Sequence, residues 1–334
     1  MARRTTLDLY SFSLALQAEK ISWKKSARIW HRKTIGVKKH SLPAIDDKIH
    51  YQAKIHQGAY VQVFKAIYKG KDAGVKLLNL EKIKDPELAQ KGIEEFIREA
   101  SILSELDHPY IVKLLGADLD SPTLKIIILE WLDGGDLYHY LHVQNRQLKA
   151  TYDILRIAEN LADAYEFMHS KNIVNRDIKS LNVMIDHKGK ITVIDFGTAR
   201  LEAQDGDMTP RTGSYRWAAP EVLRDEHYFR SVDVYSFGIV LWEMITAKLP
   251  YDGMTAEEAG NSVAHDDIRP GDLVESDTCS AEMISLVTRC WSSKPKDRPT
   301  FSEIHRQLLA MIDAIPPEKR VSSVQHTSRA CVIS

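Results

Sequence analysis

The segment IVNRDIKSLNVMIDHKGKITVIDFG, residues 173–197, constrains what this chain can fold into more than any other. It sets Asp177, Lys179, Asn182 and Asp195 within nineteen residues, and its two apolar runs, VMI and ITVI, read as short buried strands joined by a hairpin. Any one of these polar residues alone is ordinary surface. Together they supply two carboxylates, an amide and an ammonium, which can hold a divalent cation through hard oxygen ligands and direct a hydroxyl at a phosphate. The joint order R-D-x-K-x-x-N, followed thirteen residues later by D-F-G, is hard to meet by accident.

Upstream, YQAKIHQGAYVQVFKAIYKGKDAGVKLL alternates apolar and polar residues, with a break at Gly58 and a turn at residues 69–72. That pattern predicts three antiparallel strands. Lys76 ends the strand segment AGVK, and Glu99 follows twenty-three residues later in FIREASILSEL, where Phe96, Ala100, Leu103 and Leu106 form one helical face. LKIIILEWLDGGDL predicts a buried strand that stops at Glu130 and turns at Gly134 and Gly135. LRIAENLADAYEFMHSKN predicts a helix ending with Lys171 and Asn172, just before the opening segment.

A chain of 334 residues accommodates one two-lobed domain of roughly 250 to 300 residues with extensions, or two ordinary domains. No apolar run approaches a membrane-spanning length. Cys279, Cys290 and Cys331 show no C-x-x-C spacing, so neither a zinc knuckle nor a disulfide framework is expected, and a reducing compartment follows.

The net charge of −1 conceals an asymmetry: residues 1–40 hold ten Lys/Arg against Asp8 and Glu19 and carry +8, leaving −9 on the remainder. In the arm, residues 1–44, Leu9, Phe12, Leu16, Trp23, Ala27 and Trp30 recur among these basic residues as in a basic amphipathic helix. Such a helix suits an anionic membrane surface, and residues 20–33, with Trp23 and Trp30 seven apart, suit a calmodulin-like partner. A helix on the body of the protein, a loosely ordered extension and a mitochondrial presequence are the other readings. Charge alone argues for nucleic acid, and no such partner is expected.

The motif set R-D-x-K-x-x-N and D-F-G, with DHPYIVKLLGA, GSYRWAAPEVL, DVYSFGIVLWEMIT and CWSSKPKDRPTF, resembles the protein kinases, and its mixture of flavours resembles the tyrosine-kinase-like group of Raf and mixed-lineage type. The resemblance implies an α+β, two-lobed protein kinase fold over residues 45–313, with a small antiparallel sheet and one helix in the N-lobe (45–130) and a mainly helical C-lobe (135–313). It implies a serine/threonine kinase that uses ATP and Mg2+ on protein substrates in signalling, since the R-D-x-K order resembles that class. On its pattern Asp177 orients the substrate hydroxyl, Lys179 neutralises the transferring phosphoryl group, and Asn182 and Asp195 ligate magnesium. Lys76 and Glu99 form the ion pair at the α- and β-phosphates. Ile55, Gly58, Val63, Glu130, Leu132, Asp136 and Met184 line the nucleotide site, with Tyr60 capping the glycine-rich loop and Leu129 at the back pocket. Ser214 contacts Asp177 and Lys179, Glu221 pairs with Arg298, and Asp233 holds the catalytic-loop backbone.

Three positions depart from the pattern. His56 and Val61 replace outer glycines of the phosphate loop, and Asn175 stands where the family has a His that bonds the D-F-G backbone and stacks under Phe196. Asn175 keeps one donor and loses ring area, which predicts a looser assembly. These departures motivate the alternative of a weak or inactive pseudokinase that scaffolds through bound nucleotide. The activation segment offers Thr198, Thr209, Thr212, Ser214 and Tyr215, with Thr209 or Thr212 favoured as the switch for an upstream activating kinase and Arg176 as the phosphate's partner. In the tail, residues 314–334, the last four residues, CVIS, resemble a C-a-a-X farnesyl acceptor at Cys331. With the basic arm, this predicts a cytoplasmic protein held peripherally on the cytoplasmic face of a membrane.

Overall fold

In a computed structural model, the described residues are 42–58, 60–148, 150–202, 214–320 and 324. Contacts divide the chain after Leu42, and the unit that begins at Pro43 holds every element described. The alternating stretch folds as β1 (His50–Gln57), β2 (Val61–Tyr68) and β3 (Lys71–Asn79), paired antiparallel in sequence. Only Lys69 and Gly70 separate β2 from β3, at φ 50° and 72°. Two left-handed residues match the strand twist, as in a type I′ hairpin, and glycine accepts that conformation without strain. With β4 (Leu114–Asp118) and β5 (Leu124–Glu130) the sheet takes the order β1-β2-β3-β5-β4.

Period-2 alternation gives β3 two working faces. Ala73, Val75 and Leu77 join Ala66, Tyr68 and Ile128 in one buried cluster, while Lys76 and Leu78 point the other way. On that side Leu78 reaches Gly92 of α1 (Pro86–Ser104). The helix begins earlier than the apolar face alone predicts because Asp85 caps the Glu87 and Leu88 N–H groups and Pro86 occupies the first turn. Phe96, Ala100 and Leu103 are buried as the helical face predicts, and Leu106 is buried just past the helix end.

The larger half is mainly helical: α2 (Thr151–Ser170), α3 (Pro220–Leu223), α4 (Ser231–Thr246), α5 (Ala256–Asp266), α6 (Ala281–Cys290) and α7 (Phe301–Ala314). In α4 every residue from Val232 to Met244 is buried, so it lies at the centre with no polar face. Its acids Asp233 and Glu243 are therefore obliged to find partners. Short strands complete this half: β6 (Gly135–Asp136), β7 (Ile173–Val174), β8 (Val183–Ile185), β9 (Ile191–Val193) and β10 (Arg200–Leu201). They form a β6-β8-β9 sheet and a β7-β10 pair. The two halves join where Val193 N–H donates to Tyr110 O at 2.8 Å and Val112 N–H to Val193 O at 3.0 Å. The architecture is two-lobed and α+β, as the sequence predicts.

Candidate active site

Between β7 and β8 the chain is held from below by Asp233, which is fully buried. Asn175 N–H donates to its Oδ2 and Arg176 N–H to its Oδ1, each at 2.8 Å, and His169 Nε2 lies 2.9 Å from Oδ2. These bonds hold Arg176 at φ 71°, a left-handed conformation that a non-glycine residue keeps only when its surroundings dictate it. Immediately after it, Asp177 is buried and heavily constrained. Its N–H donates to Asn175 Oδ1 at 3.1 Å, and its Oδ2 accepts from Lys179 Nζ at 2.8 Å and Asn182 Nδ2 at 3.1 Å. Asn182 Nδ2 also donates to the Asp177 carbonyl at 2.9 Å, and Lys179 Nζ reaches Ser214 Oγ at 3.0 Å.

Asp195 comes alongside because Ile194 N–H donates to Asn182 O at 3.0 Å. Asp195 has φ 63°, and its Oδ1 accepts from Gly197 N–H at 3.1 Å. The side-chain oxygen of Asn182, Oδ1, is buried and accepts no hydrogen bond from a described residue. A buried acceptor left so costs about 1 to 3 kcal/mol, a cost that an oxygen-seeking cation removes. Asn182 and Asp195 therefore fit a hard divalent cation.

In the small lobe Lys76 Nζ contacts Glu99 Oε1 at 2.7 Å and Oε2 at 2.9 Å, with both residues buried. Sheet register sets Val63 opposite Lys76 and His56 opposite Val63, while Leu129 lies opposite Gly74. The phosphate-loop turn closes through Gly58 N–H to Val61 O at 2.9 Å. A Cβ at Gly58 would lie 3.1 Å from that oxygen, a tight contact that a side chain here would have to relieve. Gln57 braces the same turn, its Oε1 accepting from Gln62 Nε2 at 2.6 Å and Lys54 Nζ at 3.0 Å. Ile55, Tyr60 and Leu132 are half-buried, and the Glu130 carboxylate accepts from Lys113 N–H at 2.8 Å. On the opposite bank Asp136 pairs with Met184 across β6 and β8. Burial pushes the Asp136 carboxyl up, partly offset by the His139 N–H it accepts.

Two expectations need correction. Asn175 does not use its remaining donor among the described residues: Nδ2 is buried without a partner there, because the amide turns its oxygen toward Asp177 N–H. The tie to the D-F-G segment comes instead from Thr198, buried, whose Oγ1 donates to Asn175 O at 3.0 Å. Ser214 reaches Asp177 through the Lys179 ammonium and not by its own bond. Thr209, Thr212, Cys331 and residues 1–41 lie outside the described residues.

Several functional contacts escape sequence reasoning. Glu243, fully buried, accepts from Ser180 Oγ at 2.6 Å and Trp217 Nε1 at 2.9 Å, and His142 Nε2 lies 2.7 Å away. An acid inside the apolar run DVYSFGIVLWEM is the signal that could have found it. Arg176 stacks on Tyr228, 5.2 Å from the ring centroid, and its Nε and Nη1 are buried without acceptors among the described residues. Burial, and then the neighbouring Arg98 and Arg176 guanidiniums, hold Arg200 below its ordinary value. Burial likewise lowers Arg176.

Residues 49–308 match the family model for protein tyrosine and serine/threonine kinases. The chain is 38% identical over 251 residues to the serine/threonine/tyrosine-protein kinase HT1 of Arabidopsis thaliana, covering 75% of this chain and 63% of that protein. Against the serine/threonine-protein kinase STY46 of the same plant it is 36% identical over 76% of this chain and 43% of the relative. Against the dual specificity protein kinase pyk3 of Dictyostelium discoideum it is 33% identical over 79% of this chain and 19% of the relative. The chain thus spans less than two thirds of the length of each of these curated relatives.

Proposed function

The chain belongs to the protein tyrosine and serine/threonine kinase family, and on that premise we propose that it transfers the γ-phosphoryl group of ATP to Ser or Thr hydroxyls of protein substrates. The observation that carries this reading is Lys179 Nζ, which contacts Asp177 Oδ2 and Ser214 Oγ at once. Asp177 is thereby aimed as the group that accepts the hydroxyl proton, while the ammonium stands beside it for the charge that develops on the transferring phosphoryl group. The hydroxyl oxygen forms the new P–O bond, and the β–γ bridging oxygen leaves with ADP. Lys76, held by Glu99, serves the α- and β-phosphates, and the hinge backbone at Glu130 and Leu132 serves adenine. Asn182 and Asp195 would hold Mg2+, which supplies charge neutralisation on the phosphates when bound.

Residue class at position 179 supports Ser/Thr over Tyr. The names of HT1 and pyk3 extend to tyrosine or dual specificity, so phosphoamino-acid analysis belongs in the test. The assay supplies Mg2+ and ATP with a generic basic protein and with the chain itself, comparing wild type with Asp177→Asn and Lys76→Met. Signal on Ser or Thr in wild type alone supports the proposal. Equal signal in all three proteins removes it and favours the scaffold reading, whose own support is the unpartnered Asn175 Nδ2.

Activation by phosphorylation is part of the same proposal. Arg176 Nε and Nη1, buried without acceptors among the described residues, together with Arg98 and Arg200, whose guanidinium is held down in part by Arg98 and Arg176, form a cationic cluster suited to a phosphate on Thr209 or Thr212.

A further inference from the structure

Away from the phosphate-transfer site, α2 presents Glu159, Asp163 and Glu166 at i, i+4 and i+7, on one face. His305 of α7 enters between them, its Nδ1 2.8 Å from Glu166 Oε2 and its Nε2 2.9 Å from Glu159 Oε1. From the small lobe's connection His108 stacks on Phe167, with centroids 5.0 Å apart, and sets its Nε2 3.3 Å from Asp163 Oδ2. Ligand atoms of Asp163, Glu166 and His305 all lie within 4.8 Å of one another. Among the described residues no Lys or Arg pairs with any of these three carboxylates on α2.

A neutral imidazole carries one N–H, so with carboxylates on both ring nitrogens one nitrogen would meet an oxygen lone pair with its own. A cation has to stand in that gap, and a proton and a metal ion are the two that fit. One imidazole nitrogen with two carboxylates suits a borderline-soft divalent ion better than magnesium. The remaining ring nitrogen already has what a metal-bound histidine uses for orientation, a carboxylate on its far side, here Glu159.

We infer that Asp163, Glu166 and His305 form a binding site for a divalent transition-metal ion of the zinc type, oriented by Glu159 and flanked by His108. The ion would pin α2 to α7 beside the connection that follows α1. Unlike the Asn182 and Asp195 pair, this site lies among helices and uses nitrogen.

The test titrates the metal-free full chain with Zn2+ alone, with Mg2+ in excess as competitor, by calorimetry and by the shift in melting temperature. Wild type is expected to bind one Zn2+ saturably and to melt higher, with Mg2+ unable to displace it. His305→Gln and Glu166→Gln are each expected to weaken binding about 10-fold or more. Asp195→Asn is expected to leave it unchanged. Circular dichroism of the metal-free variants separates loss of the site from loss of fold, and Asp163→Asn gives a second reading where His305→Gln fails to fold. No saturable binding in wild type, unchanged affinity in both His305→Gln and Glu166→Gln, or loss only in Asp195→Asn overturns the assignment.

Discussion

Trp217 donates its indole N–H to Glu243 Oε2 at 2.9 Å, and both residues are buried in the larger lobe. The same carboxylate takes Ser180 Oγ on Oε1, so one acid holds the loop that carries Lys179 and the segment that carries Ser214. Glu243→Gln keeps the shape but turns an acceptor into a donor opposite another donor. Expected are a stability loss of about 1 to 3 kcal/mol and a fall in turnover measured on protein that is still folded. Urea denaturation beside a steady-state assay checks both, and an unchanged midpoint with unchanged turnover would show that Glu243 is not a positioning residue.

Lys76 and Glu99 meet across 2.7 Å as a buried unit. Lys76→Met and Glu99→Gln should each lower kcat/KM by about 100-fold or more, and the double variant should be little worse than either. Additive losses in that cycle would mean that the two side chains act separately.

Arg298 makes a bidentate pair with Glu221, at 2.5 and 2.9 Å, inside the larger lobe. Removing one partner leaves a buried charge, so Arg298→Ala should cost about 3 to 5 kcal/mol, whereas Arg298→Met with Glu221→Leu should recover much of that. Chemical denaturation with a common m-value distinguishes the outcomes. A double variant as unstable as the single would show that the charge left behind is not the cause.

The cationic pocket around Arg176 and Arg200 predicts a response to phosphorylation. Phosphatase treatment should lower wild-type activity by about 5-fold or more, the scale of an ordinary coupling energy, while Arg176→Ala should be low before and after treatment. Wild-type activity indifferent to phosphatase, with mass spectrometry showing that phosphate on Thr209 or Thr212 was removed, would sink the switch.

Much of the fold was legible because it is written in local periods. Alternation predicted the three strands of the small lobe, and the 3.6-residue pattern predicted α2 with an end at Lys171 and Asn172, close to its observed end at Ser170. The start of α1 was missed for a local reason, since the capping by Asp85 lies outside the apolar face. The residues of the candidate site were legible as a set, but their bonding was not. Nothing in the spacing says that Asn175 turns its oxygen to Asp177 and leaves Nδ2 unpartnered, or that Thr198 takes over the tie to the D-F-G segment.

By itself the amino-acid sequence determined the local strands and helices and the groups available for phosphoryl transfer, because periodicity and residue chemistry are properties of short segments, while the two-lobed α+β class followed from the resemblance of its motifs to the protein kinases. Only the tertiary structure decided which groups share a partner. Asp233 and Glu243 belong to a helix buried on every side, so each must collect its hydrogen bonds from distant segments, His169, Asn175 and Arg176 for one and His142, Ser180 and Trp217 for the other. The cost of burying a polar group without partners selects those long-range bonds, and that cost arises only once the chain has closed around the helix.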